Sequence, residues 1–196
     1  MFRNLIDHLT SLHRFSGRES VKAFWTYAAI VIAASFWGMA MAIMPIMLGS
    51  LRKMSDFARA HPDQATVTSG PGSYSVQIHG NHPELMPDFA SMVPGTAIVT
   101  VVTVVLLAAA VTRRLHDHGR SGAWGLLPLP FLATGLIMMP RIASSFPQAG
   151  EPDLTLFFAL FANNVVYLLT LGVVIYLTIK PGDKLANHYG DAPPAA

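Results

Sequence analysis

The stretch Arg113-Arg114-Leu115-His116-Asp117-His118-Gly119-Arg120-Ser121-Gly122 separates two long apolar runs of a 196-residue chain. Of all residues, 52% are hydrophobic and 12% are charged, whereas soluble domains carry about 25% charged residues. A cationic turn between apolar runs is typical of two membrane helices that meet at the membrane surface. We therefore expect a polytopic membrane protein. The chain has no cysteine, which excludes disulfides, thiolate catalysis and cysteine metal sites.

Four stretches that lack Asp, Glu, Lys, Arg and His are long enough to cross a bilayer, which takes about 20 apolar residues. They cover residues 23–51, 89–112, 121–140 and 154–179. Pro128 and Pro130 lie inside the third stretch, where they predict a kink or an unwound first turn. The sequence thus predicts an all-α membrane protein, with four transmembrane helices in a domain that spans 16–180 and a tail that spans 181–196.

The segment 1–15 has apolar residues at helical spacing. These are Phe2, Leu5, Ile6, Leu9 and Leu12. The pattern predicts an amphipathic helix that lies in the membrane interface. Ser16 and Glu19 follow at the spacing of a capping box, so we expect the first spanning helix to begin near Gly17.

The outer loop, 52–88, is the one long polar segment between spans. Residues 65–69 and 73–78 alternate polar and apolar side chains around Gly70-Pro71-Gly72. This pattern favours a small β-hairpin, and an irregular loop is the alternative.

The basic residues are distributed unequally between the two sides of the predicted bundle. One side carries Arg3, Arg14, Arg18, Lys22, Arg113, Arg114, Arg120, Lys180 and Lys184, and the other carries Arg52, Lys53, Arg59 and Arg141. By the positive-inside rule, both termini lie in the cytoplasm and the outer loop lies outside it.

The turn at 113–122 offers three interpretations. The arginines can reach lipid phosphates while Asp117 orders the turn by pairing with Arg113 or Arg114. They can instead form a specific site for an anionic lipid or a protein partner. His116 and Asp117 also have the groups needed for acid–base catalysis, although no nucleophile lies nearby. No metal site is expected, because His116 and His118 diverge on a helix.

Asn163 and Asn164 are the most polar residues within a predicted span. At least one of them must hydrogen-bond another helix, and Thr100 and Thr103 are the expected partners. An intramembrane polar site beside the broken third helix is the alternative, and it would suit a small oligomeric transporter or channel.

Three separated motifs share one predicted side of the membrane. They are Phe15-Ser16-Gly17-Arg18-Glu19 with Phe24-Trp25, then Arg114-Leu115-His116-Asp117 with Gly119-Arg120-Ser121-Gly122 and Trp124, then Gly182-Asp183 with Asn187 and Tyr189-Gly190. Together they resemble the bacterial inner-membrane proteins grouped as domain of unknown function 805. The resemblance implies a small helical protein of the bacterial inner membrane with a cytoplasmic N-terminus, and it implies no activity.

These motifs predict a cytoplasmic polar cluster, with Asp117 and Asp183 as candidate partners for Arg18 and Arg120. Its expected members are Arg18, Arg113, Arg114, His116, Asp117, Arg120, Asn187 and Tyr189. We expect a module that contacts membrane lipids, anionic ones among them, or a partner protein or second copy. A transporter is the second hypothesis and an enzyme is the least favoured one. Neither a cofactor nor a nucleic acid is expected.

Overall fold

A computed structural model of the chain describes residues 2–80, 82–145 and 154–193. A short helix, α1 (Phe2–Thr10), precedes four long ones. These are α2 (Val21–Ala60), α3 (Phe89–His116), α4 (Leu129–Ser145) and α5 (Leu154–Ile179). Four helical segments, Val21–Ala60, Pro83–His116, Gly122–Ile142 and Leu154–Ile179, are long and apolar enough to cross a membrane. The prediction of four spanning helices is therefore supported. Only part of the segment 1–15 is helical, and its place in an interface stays a prediction.

Helix α2 begins later and ends later than the sequence predicts. Ser20, not Ser16, caps it, since the Ser20 hydroxyl accepts a hydrogen bond from the Ala23 amide at 3.4 Å. The capping-box prediction is wrong because the Glu19 side chain is engaged in an ion pair with another helix. At its other end the helix continues past Leu51 to Ala60. Residues 52–60 contain neither Gly nor Pro, so nothing in them stops the helix.

The predicted β-hairpin is present in the loop that follows α2. Strand β1 (Ala65–Gly70) pairs antiparallel with β2 (Ser73–Ile78), with Val67 opposite Val76. Gly72 has φ +80°, a left-handed conformation that glycine adopts without strain. A short 3-10 turn, Pro83–Leu85, then leads to α3, and the Ser50 hydroxyl of α2 donates to the Leu85 carbonyl at 2.7 Å.

The connection between α3 and α4 is tight and partly unwound. Gly119 (φ +66°) turns the chain, and the Ser121 hydroxyl accepts from the Ala123 amide at 3.2 Å. A 3-10 turn, Gly122–Leu126, follows before α4 starts at Leu129. The expected disruption at Pro128 and Pro130 is confirmed, because α-helical structure begins only at these prolines.

Most of the core lies at one end of the bundle, which we call the basic end. The basic end comprises the turn 113–122, the two chain-terminal segments, 2–20 and 180–193, and the helix turns that adjoin them. The buried residues of the spans there are Phe24, Tyr27, Ala28 and Val31 of α2, Ala109, Ala110 and Leu115 of α3, and Val174, Leu177 and Thr178 of α5. The Tyr27 hydroxyl donates to the Leu106 carbonyl at 3.0 Å, and the Trp25 indole donates to the Thr178 carbonyl at 3.3 Å. The basic end therefore holds α2, α3 and α5 together.

Close packing at the 3-10 turn makes Gly122 intolerant of a side chain. A Cβ at Gly122 would lie 2.5 Å from Cγ2 of Thr112. We expect Gly122→Ala to lower the free energy of unfolding by about 1–3 kcal/mol, measured by titration with a denaturing detergent. Thr112→Ala removes Cγ2 and Oγ1, the two nearest obstructing atoms, and leaves Cβ at 3.1 Å, so it should recover part of that loss. Gly49→Ala is the control, since a Cβ there meets nothing within 4 Å. Equal losses at Gly122 and Gly49 would contradict this account.

Candidate functional site

Arg114 is the centre of the basic end and has no exposed surface. Its Nε donates to the Thr178 carbonyl at 2.9 Å, and one terminal nitrogen donates to the Glu19 carbonyl at 3.3 Å. The same nitrogen pairs with the Asp117 carboxylate, and the other one donates to the Lys180 carbonyl. A buried guanidinium is stable only when its N–H groups are occupied in this way. Arg114 thus joins the end of α3 to the segment before α2 and to the end of α5.

Asp117 extends the network to the C-terminal tail through Arg18. Nε of Arg18 donates to the Asp117 carboxylate at 3.0 Å. The Arg18 guanidinium also donates to three tail carbonyls, those of Leu185 (2.7 Å), Gly190 (3.2 Å) and Asp183. The Asp183 amide in turn donates to the Asp117 carbonyl at 2.8 Å. The Asp117 carboxylate therefore accepts hydrogen bonds from two arginines, Arg18 and Arg114. The tail is held by the Arg18 guanidinium and by the Asp117 carbonyl.

Arg113 forms a second buried pair. Its Nε donates to the Glu19 carboxylate at 3.0 Å, and a terminal nitrogen donates to the Arg14 carbonyl at 2.6 Å. The other Glu19 oxygen lies 2.5 Å from Nε2 of His8, whose ring stacks on Tyr27 with centroids 4.2 Å apart. This arrangement fastens α1 and the following segment to α2 and α3.

His116, Asn187 and Tyr189 lie beside this network. The imidazole of His116 stacks on the Tyr189 ring at 3.7 Å and 4°, and its Nδ1 lies 3.2 Å from the Gly17 carbonyl. Because a carbonyl only accepts, Nδ1 carries the proton of that hydrogen bond. The Asn187 amide donates to the His116 carbonyl at 3.0 Å and to the Asp183 carboxylate at 3.0 Å. His116 therefore orders the tail, and its Nδ1 is engaged away from Asp117.

Two glycines allow the tail to approach the turn this closely. A Cβ at Gly182 would overlap the Asp117 carboxylate, and one at Gly119 would lie 3.3 Å from the Asp183 carboxylate. The network therefore depends on the absence of these side chains as much as on the charged groups.

Arg120 does not join the residues with which it is predicted to cluster. The other seven, Arg18, Arg113, Arg114, His116, Asp117, Asn187 and Tyr189, come together as described. Arg120 is exposed and lies over the Trp124 ring, 5.3 Å from its centroid. The expected pairing of Arg18 with Asp117 is present, whereas the described residues show no ion pair of Arg120 with a carboxylate.

One sequence-based interpretation of the turn needs correction, whereas the predicted pairing of Asp117 with Arg113 or Arg114 is confirmed. Arg113 and Arg114 do not reach towards lipid phosphates, because both are buried in ion pairs. Of the two, Arg114 alone pairs with Asp117, while Arg113 pairs with Glu19. Glu19 and His8 also belong to the network, although neither was predicted to be a member. Glu19 lies 94 residues from Arg113 in the chain, and no local spacing marks so distant a pair.

One of the intramembrane asparagines hydrogen-bonds another helix, as predicted, but its partner is not the one expected. The Asn163 amide donates to the Phe131 carbonyl of α4 at 2.9 Å. Thr103 instead contacts Ser35 of α2, with hydroxyl oxygens 2.6 Å apart, and the Thr100 hydroxyl donates within its own helix. Thr100 and Thr103 are therefore not the partners of Asn163. The neighbouring Asn164 is exposed, and with Asn163 it borders a recess of about 190 Å³ between α4 and α5.

An apolar cavity of about 240 Å³ lies between α3, the 3-10 turn, α4 and α5 near the basic end. Its walls include Phe15, Ala108, Gly122, Gly125 and Val174. A polar recess of about 300 Å³, bordered by Asp7 and Arg14, opens beside α1. Across the described ranges, no group of three or more His, Cys, Asp or Glu side chains is placed to hold a metal ion.

We expect Arg114→Ala to lower the free energy of unfolding by about 3–5 kcal/mol, because it removes one member of a buried ion pair. Titration with a denaturing detergent measures the change. Arg120→Ala is the matched control and should change the stability by less than about 0.5 kcal/mol, since Arg120 is exposed. Similar stabilities for the two variants would contradict a structural role for Arg114.

The burial of His118 predicts that the free energy of unfolding depends on pH. Burial lowers the pKa of its imidazole below the usual 6.5 and Arg114 lowers it further, while Asp117 and Asp183 oppose the shift. Nε2 of His118 is buried and has no hydrogen-bond partner among the residues that the structure describes. Below pH 6.5, His118 therefore binds more protons in the unfolded chain than in the folded one. Its contribution to the free energy of unfolding falls as the pH falls.

The His118→Gln variant should lose part of this slope between pH 7.5 and 5.5, compared by the same detergent titration. The exposed His13, changed to Gln, is the control and should keep the slope. An unchanged slope in His118→Gln would show that other groups cause the pH dependence.

Comparison with known proteins gives one match. No curated protein and no solved structure matches the chain. A model of a family described as "protein of unknown function (DUF805)" matches residues 12–191, which include all four long helices and every member of the buried network except His8. The chain belongs to the DUF805 family of proteins of unknown function.

Proposed function

We propose that this protein is a bacterial inner-membrane module that binds an anionic lipid at its basic end, with both termini in the cytoplasm. The unequal distribution of basic residues supports the orientation. The observation that carries the binding proposal is the presence of an apolar cavity at the end of the bundle that also carries exposed cations.

The exposed cations, rather than the buried ones, are the candidates for a headgroup. Arg18, Arg113 and Arg114 have their donors occupied within the protein. Among the side chains that the structure describes, the exposed basic residues in or next to this end are Arg14, Lys22, Arg120, Lys180 and Lys184. Arg120 lies over Trp124 and Lys180 lies 4.4 Å over the Tyr176 ring. Cations beside aromatic rings are characteristic of the membrane interface.

The cavity can hold an apolar segment of the same ligand. An apolar cavity of about 150 Å³ binds benzene, and this one measures about 240 Å³. Two of its lining residues adjoin exposed arginines in the chain. Phe15 follows Arg14 directly, and Gly122 is two residues after Arg120. An amphiphile with an anionic head and an acyl chain matches this combination.

The test uses the purified protein in nanodiscs that contain phosphatidylcholine with phosphatidylglycerol, followed by native mass spectrometry of the released protein. The double variant Arg14→Ala/Arg120→Ala should retain roughly thirtyfold less phosphatidylglycerol, because each of the two cations near the surface contributes about 1 kcal/mol. Ala108→Phe, which fills the cavity, should lower retention without changing charge.

Arg52→Ala/Lys53→Ala is the matched control, since both residues are exposed at the opposite end of α2. It should retain phosphatidylglycerol like the unaltered protein. Equal retention in all variants, or release of a protein without lipid, would overturn the proposal. Arg114→Ala is not a suitable test, because loss of that buried side chain disturbs the fold itself.

A further inference from the structure

Asn164 places an exposed amide in the middle of a membrane helix. It follows the start of α5, Leu154, by ten residues, or about 15 Å along an axis of roughly 39 Å at 1.5 Å per residue. A bilayer has a hydrocarbon core about 30 Å thick. The short Asn164 side chain therefore cannot reach water at either surface.

The two neighbouring asparagines of α5 differ in whether their side chains have a hydrogen-bond partner. Asn163 faces α4, where its amide donates to the Phe131 carbonyl at 2.9 Å. Asn164 is exposed, and within the ranges that the structure describes no hydrogen bond involves its side chain. Hydrocarbon supplies neither a donor nor an acceptor, so this amide lacks a partner in an isolated copy surrounded by lipid.

The helix face around Asn164 is open to another helix. Phe157, Phe161, Leu168 and Ile175 lie within about 60° of Asn164 around the axis at 3.6 residues per turn, and all four are exposed. Gly172 is nearby, and a Cβ there would meet nothing within 4 Å, which permits close approach of a second backbone. The apolar residues of this face can remain in contact with lipid. The Asn164 amide cannot, because it needs a hydrogen-bond partner.

We propose that this face of α5 binds a second copy of the chain, with the two Asn164 amides hydrogen-bonded to each other. Copies inserted in the same orientation carry Asn164 at the same depth. A two-fold axis along the membrane normal then brings the amides together, and each supplies the donor and the acceptor that the other lacks. The basic end takes no part in this pairing, so the dimer and the lipid site are independent.

Cross-linking in native membranes tests the geometry directly. The chain has no cysteine, so single substitutions report on one position each. Phe161→Cys and Leu168→Cys should form disulfide-linked dimers on addition of an oxidant. Val166→Cys is the control, because Val166 is exposed at the same depth but lies about 160° from Asn164 around the helix. Equal cross-linking at all three positions would overturn the proposal, as would adducts with a different protein.

The second measurement is self-association in nanodiscs or detergent, which energy transfer between labelled copies reports. Asn164→Leu should weaken dimerisation roughly tenfold, in line with the strength of interhelical hydrogen bonds in membranes. Asn164→Gln keeps the amide and should restore much of the association. Detergent titration of each variant confirms that it is folded. A folded Asn164→Leu variant that associates as strongly as the unaltered chain would show that the amide does not hold two copies together.

Discussion

A guanidinium without exposed surface needs an acceptor for its N–H groups, and most of the basic end follows from meeting that need for Arg114. Its acceptors come from the segment before α2, the turn after α3 and the last residues of α5. Each lies on a different part of the chain, so satisfying one side chain fixes where three segments meet. The Arg113–Glu19 pair and the Arg18 contacts then add α1 and the tail to the same assembly.

Arginines close together in the sequence have different roles. Arg113 and Arg114 lie on the last turn of α3 and point into the protein, whereas the left-handed turn at Gly119 carries Arg120 to the surface. Buried arginines hold the fold, and exposed ones remain available to an anionic headgroup. Charge alone therefore does not identify a binding residue, and its surroundings decide between the two roles.

Local features were predictable from sequence, whereas distant pairings were not. Long apolar runs, Pro128 and Pro130 in the third run, and the alternation around Gly70-Pro71-Gly72 each act through nearby residues, and the structure agrees with all of them. The meeting of the three motifs at one end followed from topology. Glu19 shows the limit: its spacing from Ser16 suits a capping box, but its carboxylate is used by Arg113, 94 residues away. Likewise, Asn163 bonds a backbone carbonyl, a group that every residue has.

The contacts of Arg114 also set an order of events during synthesis. Arg114 leaves the ribosome more than sixty residues before its acceptors on Thr178 and Lys180, and Arg18 waits still longer for Leu185 and Gly190. Until those residues arrive, positive charge at the ends of α2 and α3 lacks its native acceptors. The contacts of the inserted helices therefore stay incomplete until residues 178–190 have been made. A chain that lacked these residues could not bury Arg114 with its native acceptors, so the basic end would remain open to water.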